Sequence, residues 1–553
     1  MTERDKPNDP EAVEFLDAAI LGAGFAGLCM LHKLRNEGGL NARVFDKAGG
    51  VGGTWYWNRY PGARSDTESF VYAYSFDRQL YDDWKWTDRY PKQPEILSYL
   101  EHVVERYDLA RSITLNDGVK SAHWNEKTNR WDITLDSGKR ASAKWLVNGL
   151  GLLSAPHLPT FPGMEQFRGR IFHTSRWPHE KVDFAGKRVG VIGTGSTGVQ
   201  VVTEIGSQCK ELTVFQRRPQ YSVPARHGPI PKEELQHIYE DFEGYFDRVR
   251  RSGTCFGFDE SIVPAMSVSA EERKRVFDDA WEKGGGFRFM FGTFGDIAVS
   301  LESNEAAAQY IRDKISEIVT DPVKAAKLTP HDYYARRPLC DAGYFETFNL
   351  PHVDIADVSK HPIVEFTETG IRTAERDYDL DIVIFATGFD AVTGNFVRID
   401  YQGRGGEKLA DKWKNGPRAY FGLSVPGFPN MFSIYGPPGP FTNQPPAIEW
   451  QCQWVADTID YVESKGLDTI EATAKAEQDY LDECIQIAEA TLFAKLDWWV
   501  MGTNIPGKPR AVSFYMGGMG NYISKLEDVT KDGYRGFVLD GGKTARTKVA
   551  ATG

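Results

Sequence analysis

Two doubly wound α/β units, the second interrupted by a helical insertion, are predicted for this 553-residue chain by three observations. Short aliphatic runs alternate with helix-period patterns over residues 15–150, and the alternation starts again at Lys187. A glycine-rich turn follows the opening strand of each unit: Gly22-Ala23-Gly24-Phe25-Ala26-Gly27 and Gly193-Thr194-Gly195-Ser196-Thr197-Gly198. Between 226 and 334 the strand signals stop and amphipathic helical spacing takes over. Length agrees, since a chain of this size exceeds one core and divides into roughly two to four domains.

Taken in order, residues 1–14 are polar and charged and lack the apolar centre of a signal peptide. Ala18-Ala19-Ile20-Leu21 and Arg43-Val44-Phe45 read as buried parallel strands, with a helix from Ala26 to Arg35 between them. The Pro-rich stretch 154–162 closes the first unit. Lys187 to Ile192 opens the second. In the insertion, Leu235, Ile238, Tyr239, Phe242, Phe246 and Val249 keep helical spacing, and Ser269 with Glu272 fits a capping box. Residues 381–388 form a buried strand ending at a glycine turn. Helices over 446–464 and 473–496 precede a Gly-rich tail. The expected divisions are 1–155 and 381–553 for the first unit, 156–225 and 335–380 for the second, and 226–334 for the insertion.

Composition narrows the function classes. Hydrophobic residues make up 41% and charged residues 26%, as in an ordinary globular protein. A net charge of −12 disfavours nucleic acid, whose phosphates need a basic surface. Cys29, Cys209, Cys255, Cys340, Cys452 and Cys484 are scattered, with no Cys-x-x-Cys and no metal-ligand spacing. Reduced thiols, no metal and no redox disulfide are the expectation, as in a cytoplasmic protein. No apolar run is long enough to span a bilayer. Nothing in the sequence specifies an oligomeric state.

Each glycine turn follows a strand and opens a helix, the setting of a Rossmann-like dinucleotide site. Gly22 allows the tight turn, Gly24 lets backbone approach a pyrophosphate, and Gly27 lets helix and strand pack closely, with Phe25 and Ala26 completing the turn. The helix N-terminus offers unpaired N–H groups to the anion. Asp46, at the end of the next strand, accepts from ribose hydroxyls. In the second unit Gly193, Thr194, Gly195, Ser196, Thr197 and Gly198 repeat the turn. There the next strand ends in Gln216-Arg217-Arg218 and carries no acid. A cation at that place accommodates a 2′-phosphate, so Arg217 and Arg218 favour NADPH over NADH. An acid-bearing site and a base-bearing site in one chain point to FAD plus NADP, with the nicotinamide delivering hydride to the flavin.

Phe167-Arg168-Gly169-Arg170-Ile171-Phe172-His173-Thr174-Ser175-Arg176-Trp177-Pro178 has the spacing F-x-G-x(3)-H-x(3)-W-P. It resembles the fingerprint of type I Baeyer–Villiger monooxygenases, class B flavoproteins. Residues 52–66 are similar to the family's G-G-x-W-x(4)-Y-P-G-x(3)-D, residues 335–341 to K-R-P-L-C-D, residues 379–390 to its A-T-G-F-D strand, and residues 497–508 to its W-x-x-G-x-N-x-P-G-K loop. Departures are Asn148-Gly149-Leu150-Gly151 for A-T-G, Asp46 where many relatives carry Glu, and Arg336 for Lys.

That resemblance implies a set of roles. Gly53, Thr54, Trp55, Asp66 and Tyr72 would contact FAD, and Gln200 would join the second turn at NADP. Arg336 would approach the 2′-phosphate and Trp499 the nicotinamide. Arg337 and Asp66 would be catalytic, whereas His173 and Trp177 would organise the domain junction. The implied reaction uses NADPH and O₂ to form a C4a-peroxyflavin. Its attack on a ketone gives a tetrahedral intermediate that rearranges to ester or lactone. Residues 440–446 resemble the pocket loop of members acting on cyclohexanone, so an uncharged cyclic ketone is the expected substrate. Flavin-dependent N- or S-oxygenation is the alternative. Disulfide reduction needs a cysteine pair beside the flavin.

Overall fold

The computed structural model describes residues 13–541, so the polar N-terminal segment lies almost wholly outside the described residues. The first sheet has eight strands. Val13–Leu21 runs parallel between Ala42–Phe45 and Arg140–Asn148, with Leu21 opposite both Phe45 and Asn148. An antiparallel meander, Val119–Asn125, Arg130–Leu135 and Arg140–Asn148, extends one side. Late in the chain, Met431–Ser433 returns to pair with Arg140–Asn148.

The second sheet is wholly parallel, in the order Val353–Asp357, Glu211–Gln216, Arg188–Ile192, Ile382–Phe385, Arg170–His173. Ile382–Phe385 is buried throughout, as a central parallel strand must be. This corrects the division expected at 380/381: the strand belongs to the second sheet, and the chain returns to the first unit only after it. The F-x-G-x(3)-H segment supplies the edge strand beside it.

Helices Lys232–Glu240, Phe242–Arg251, Ala270–Lys283, Leu301–Ile318 and Pro322–Leu328 occupy the predicted helical stretch. At its two ends, Ser222–Pro224 and Leu339–Asp341 pair in parallel, which brings the segment around Arg337 back to the point of departure. Half of the expected capping box forms. Ser269 accepts from the Glu272 N–H, but the Glu272 carboxylate turns to Arg275. The first fingerprint helix is shorter than expected, Phe25–Leu31, and continues as a π-turn, His32–Glu37. Against it packs Gln444–Ser464. The other late helix, Ala474–Glu489, is capped by Thr473 and followed by a separate single turn, Phe493–Lys495. No helix among the described residues is long and apolar enough to cross a membrane.

Candidate active site

The first glycine turn is closed by the strand next to it. Gly22 has φ +99°, and a Cβ there would lie 2.6 Å from the Gly149 carbonyl oxygen. Gly149 therefore abuts the turn even where the surrounding sequence departs from A-T-G. Gly53, with φ +53°, faces Gly24, and a Cβ on Gly53 would lie 2.9 Å from the Gly24 Cα. The two motifs thus meet as bare backbone, the cradle that a flavin dinucleotide requires. Ala23 N–H donates to Asp46 Oδ2 at 2.7 Å and Ala48 N–H to Oδ1 at 2.8 Å, which fixes the carboxylate at the strand end. Tyr72 sits edge-on to Phe25 at 5.5 Å and to Trp55 at 5.8 Å.

In the second turn, a Cβ on Gly195 would meet nothing within 4 Å, so this backbone faces open space. Thr194 donates to the Arg218 carbonyl at 2.6 Å, tying the turn to the neighbouring strand end. Arg217, Arg218 and Arg336 converge there. Arg336 is paired with Asp332, and Arg218 reaches the Asp497 carbonyl at 3.1 Å. Burial, then the fields of Arg218 and Arg336, pull the Arg217 pKa down. Three like charges in one place suit a bound polyanion. The late loop is strapped above this region. Asn504 donates to Phe389 O at 2.8 Å, Lys508 pairs with Asp390 at 2.8 Å, and Trp499 packs on Trp498 and Phe514.

Arg337 bridges the second turn and the end of the 52–66 segment. Its Nη1 donates to Asp66 Oδ2 at 2.6 Å and also to Ser196 Oγ. The Asp66 side chain is 3% exposed and that of Arg337 31%, so the carboxylate is the buried member of the pair. Gln200, on the helix Ser196–Ile205, donates to Asp66 Oδ1 at 3.1 Å and accepts from Tyr60 at 2.8 Å. Burial pushes the Tyr60 pKa up to about 12, which keeps its hydroxyl a donor. The Arg337 guanidinium lies 5.5 Å from the Phe287 ring centre, and Phe287 stacks on Phe256 at 4.0 Å. Asn443, in the expected pocket loop, donates to the carbonyls of Val71 and Cys255. Segments from both units and the insertion therefore close around one cation.

His173 takes no place at this centre. Its Nδ1 receives the Ser175 hydroxyl at 2.8 Å, and its Nε2 lies 3.2 Å from the His157 carbonyl. Burial lowers its pKa, so a neutral ring links the Pro-rich stretch to the edge strand. Trp177 packs on Phe172. Sequence reasoning missed the Tyr60–Gln200–Asp66 chain, although Tyr60 lies inside a quoted motif. It also missed Phe256 and Phe287, which carry no local signal. All six cysteines are free and buried. Cys29 and Cys452 touch across two packed helices, a proximity linear spacing does not reveal, and the Cys29 pKa is raised well above normal, chiefly by its hydrogen bond with Cys452 and then by burial.

A flavin-binding monooxygenase-like family model matches residues 17–226. A Baeyer–Villiger monooxygenase of Pseudooceanicola batsensis is 52% identical over 525 residues, covering 95% of this chain and 96% of that protein. A phenazine N-monooxygenase of Lysobacter antibioticus is 48% identical over 524 residues, covering 95% and 97%. The structure of cyclohexanone monooxygenase from Rhodococcus sp. Phi1 bound to NADP⁺ matches with a TM-score of 0.94 at 51% identity, covering 96% of this chain and 100% of that one. On this identity over nearly its whole length, the chain belongs to the Baeyer–Villiger monooxygenase family.

Proposed function

We propose that this protein is an FAD-containing, NADPH-consuming Baeyer–Villiger monooxygenase acting on ketones, cyclic ones first. In balance, ketone, O₂, NADPH and a proton give ester or lactone, NADP⁺ and water. The observation that carries the reading is Arg337, a cation held between the two nucleotide units by Asp66 and Ser196. FAD, when bound, supplies the redox and oxygen chemistry. The backbone of Gly22, Gly24 and Gly53 with Asp46 would hold it, and the turn at Gly193–Gly198 with Arg217, Arg218 and Arg336 would hold NADP.

Arg337 would stabilise the negative charge that collects on the ketone oxygen as its carbonyl carbon is attacked. Its guanidinium cannot lose its proton near neutral pH, so the field persists through the reaction. Asp66, fixed by Gln200 and Tyr60, keeps that cation aimed. Phe256 and Phe287 would form an apolar wall that excludes water from the reacting atoms. The free, buried thiols support a reducing, cytoplasmic setting.

The Lysobacter relative supports a second reading, oxygen transfer to an aromatic nitrogen. Such a transfer creates no carbonyl oxyanion for Arg337 to stabilise, which favours ketones. Product analysis decides: FAD-loaded protein with NADPH and air is offered cyclic, aryl and linear ketones, phenazine and a thioether. Lactone from cyclic ketones supports the first reading. N-oxide from phenazine with no ester from any ketone replaces it with the second.

A further inference from the structure

Two residues beyond Asp66, the chain turns a second carboxylate into the protein interior. Glu68 is 6% exposed and no step above uses it. Its Oε1 accepts from Arg89 Nη1 at 3.0 Å, and Arg288 Nη2 reaches Oε1 at 3.1 Å and Oε2 at 3.0 Å. Arg89 continues to Glu234, on the first insertion helix, at 2.7 Å. Two cations and two carboxylates therefore close a balanced network joining the segment after the first motif to the insertion.

Arg288 follows Phe287, whose ring lies against the Arg337 guanidinium. The Gly284–Gly286 turn before it is seated on the paired strands Ser222–Pro224 and Leu339–Asp341. Gly285 N–H donates to the Pro224 carbonyl at 2.9 Å, and a Cβ on Gly286 would lie 2.5 Å from the Leu339 carbonyl oxygen. That turn touches the backbone just beyond Arg337. Arg288 itself lies over the Phe258 ring at 5.1 Å, and Phe258 neighbours Phe256, the ring on which Phe287 stacks.

We propose that Glu68 is a positioning residue for oxygenation: through Arg288 it anchors the turn that seats Phe287 against Arg337. Asp66 and Glu68 thus grip the same cation from one short segment, Asp66 directly and Glu68 through the aromatic wall. A charge-assisted contact in which the one Arg288 Nη2 spans both Glu68 oxygens suits this task, because it ties the turn to a carboxylate that is itself buried. The inference rests on the function proposed above, and it adds a group that none of the motifs contains.

FAD-loaded Glu68→Gln and Arg288→Lys proteins test it beside the parent. We expect the rate of flavin reduction by NADPH to stay within about twofold, because the arginines at the second turn are untouched, while product formed per NADPH falls about fivefold or more. Glu68→Gln combined with Arg288→Gln should lose no more than Glu68→Gln alone, since one link is being cut twice. Unchanged product per NADPH in Glu68→Gln, or fully additive losses, overturns the role. If Glu68→Gln does not fold, Arg288→Lys carries the same comparison. A crystal structure of either variant decides it without any substrate: displacement of the Phe287 ring from Arg337 is expected, and an unmoved ring overturns the proposal. Absence of ester from the parent defeats the proposed function, whereas ester from the parent with unchanged coupling in the variants defeats only the positioning role.

Discussion

Replacing Arg337 by alanine is the perturbation whose consequences the structure constrains best. Asp66 would keep Gln200 as a partner and lose its 2.6 Å contact with a cation. Removing one member of a fully buried pair costs about 3–5 kcal/mol, because the other charge stays behind. Here Arg337 is 31% exposed, so water follows into the vacated space, and a folding penalty of about 2 kcal/mol is expected. The chemical penalty is larger. Losing one preorganised group at a developing oxyanion costs ~10²–10³ in rate. Arg337→Lys keeps the charge but loses the planar group that lies beside Phe287 while bonding both Asp66 and Ser196, so it should recover little of that loss. NADPH binding and flavin reduction should fall less than oxygenation, since Arg217, Arg218 and Arg336 are intact. Rapid mixing that follows flavin absorbance, with chromatographic product analysis, separates the two steps. Ester formation by Arg337→Ala at near the parent rate would refute the reasoning.

Gly195→Ala should leave the ligand-free fold unchanged, because its Cβ meets nothing, yet weaken NADP⁺ binding about tenfold or more by blocking backbone approach; equal affinity by calorimetry argues against the site. Arg217→Ala should raise the apparent Michaelis constant for NADPH and hardly alter that for NADH, and equal use of both nucleotides by the parent would defeat the 2′-phosphate assignment. His173→Ala should lower activity through the junction while some oxygenation remains; total loss of flavin reduction at unchanged NADPH affinity would instead indicate direct chemistry. His227 provides the pH test. Burial, with Arg64 and Lys92 adding to it and Asp88 opposing, lowers its pKa from 6.5 to about 4. Between those values the unfolded chain binds a proton that the folded chain refuses, so stability falls as pH drops through that window. His227→Phe should shrink the difference between urea midpoints at pH 7 and pH 5, and an unchanged difference would exclude this histidine.

What was legible in the sequence was local. A glycine turn between strand and helix is written in consecutive residues, and both turns lie where the pattern puts them. The acid at 46 and the bases at 217 and 218 were legible for the same reason, since each closes the strand after its turn. Ile382–Phe385 was not, because a buried parallel strand has the same apolar run whichever sheet receives it. Its assignment needs partners more than a hundred residues away in the chain. Asp66 and Arg337 lie 271 residues apart. No periodicity joins them, so only the resemblance brought them to one site, and the pairing itself came from the structure. Gln200 adds a contact its position does not announce. Its place on a fingerprint helix suggests a nucleotide contact, and its amide also bonds Tyr60 and Asp66, both within residues 52–66. The centre is therefore made when the two units dock. A change at Tyr60, Gln200 or Glu68 should alter the chemistry without any contact to a reacting atom, and such residues are the ones that motif reading passes over.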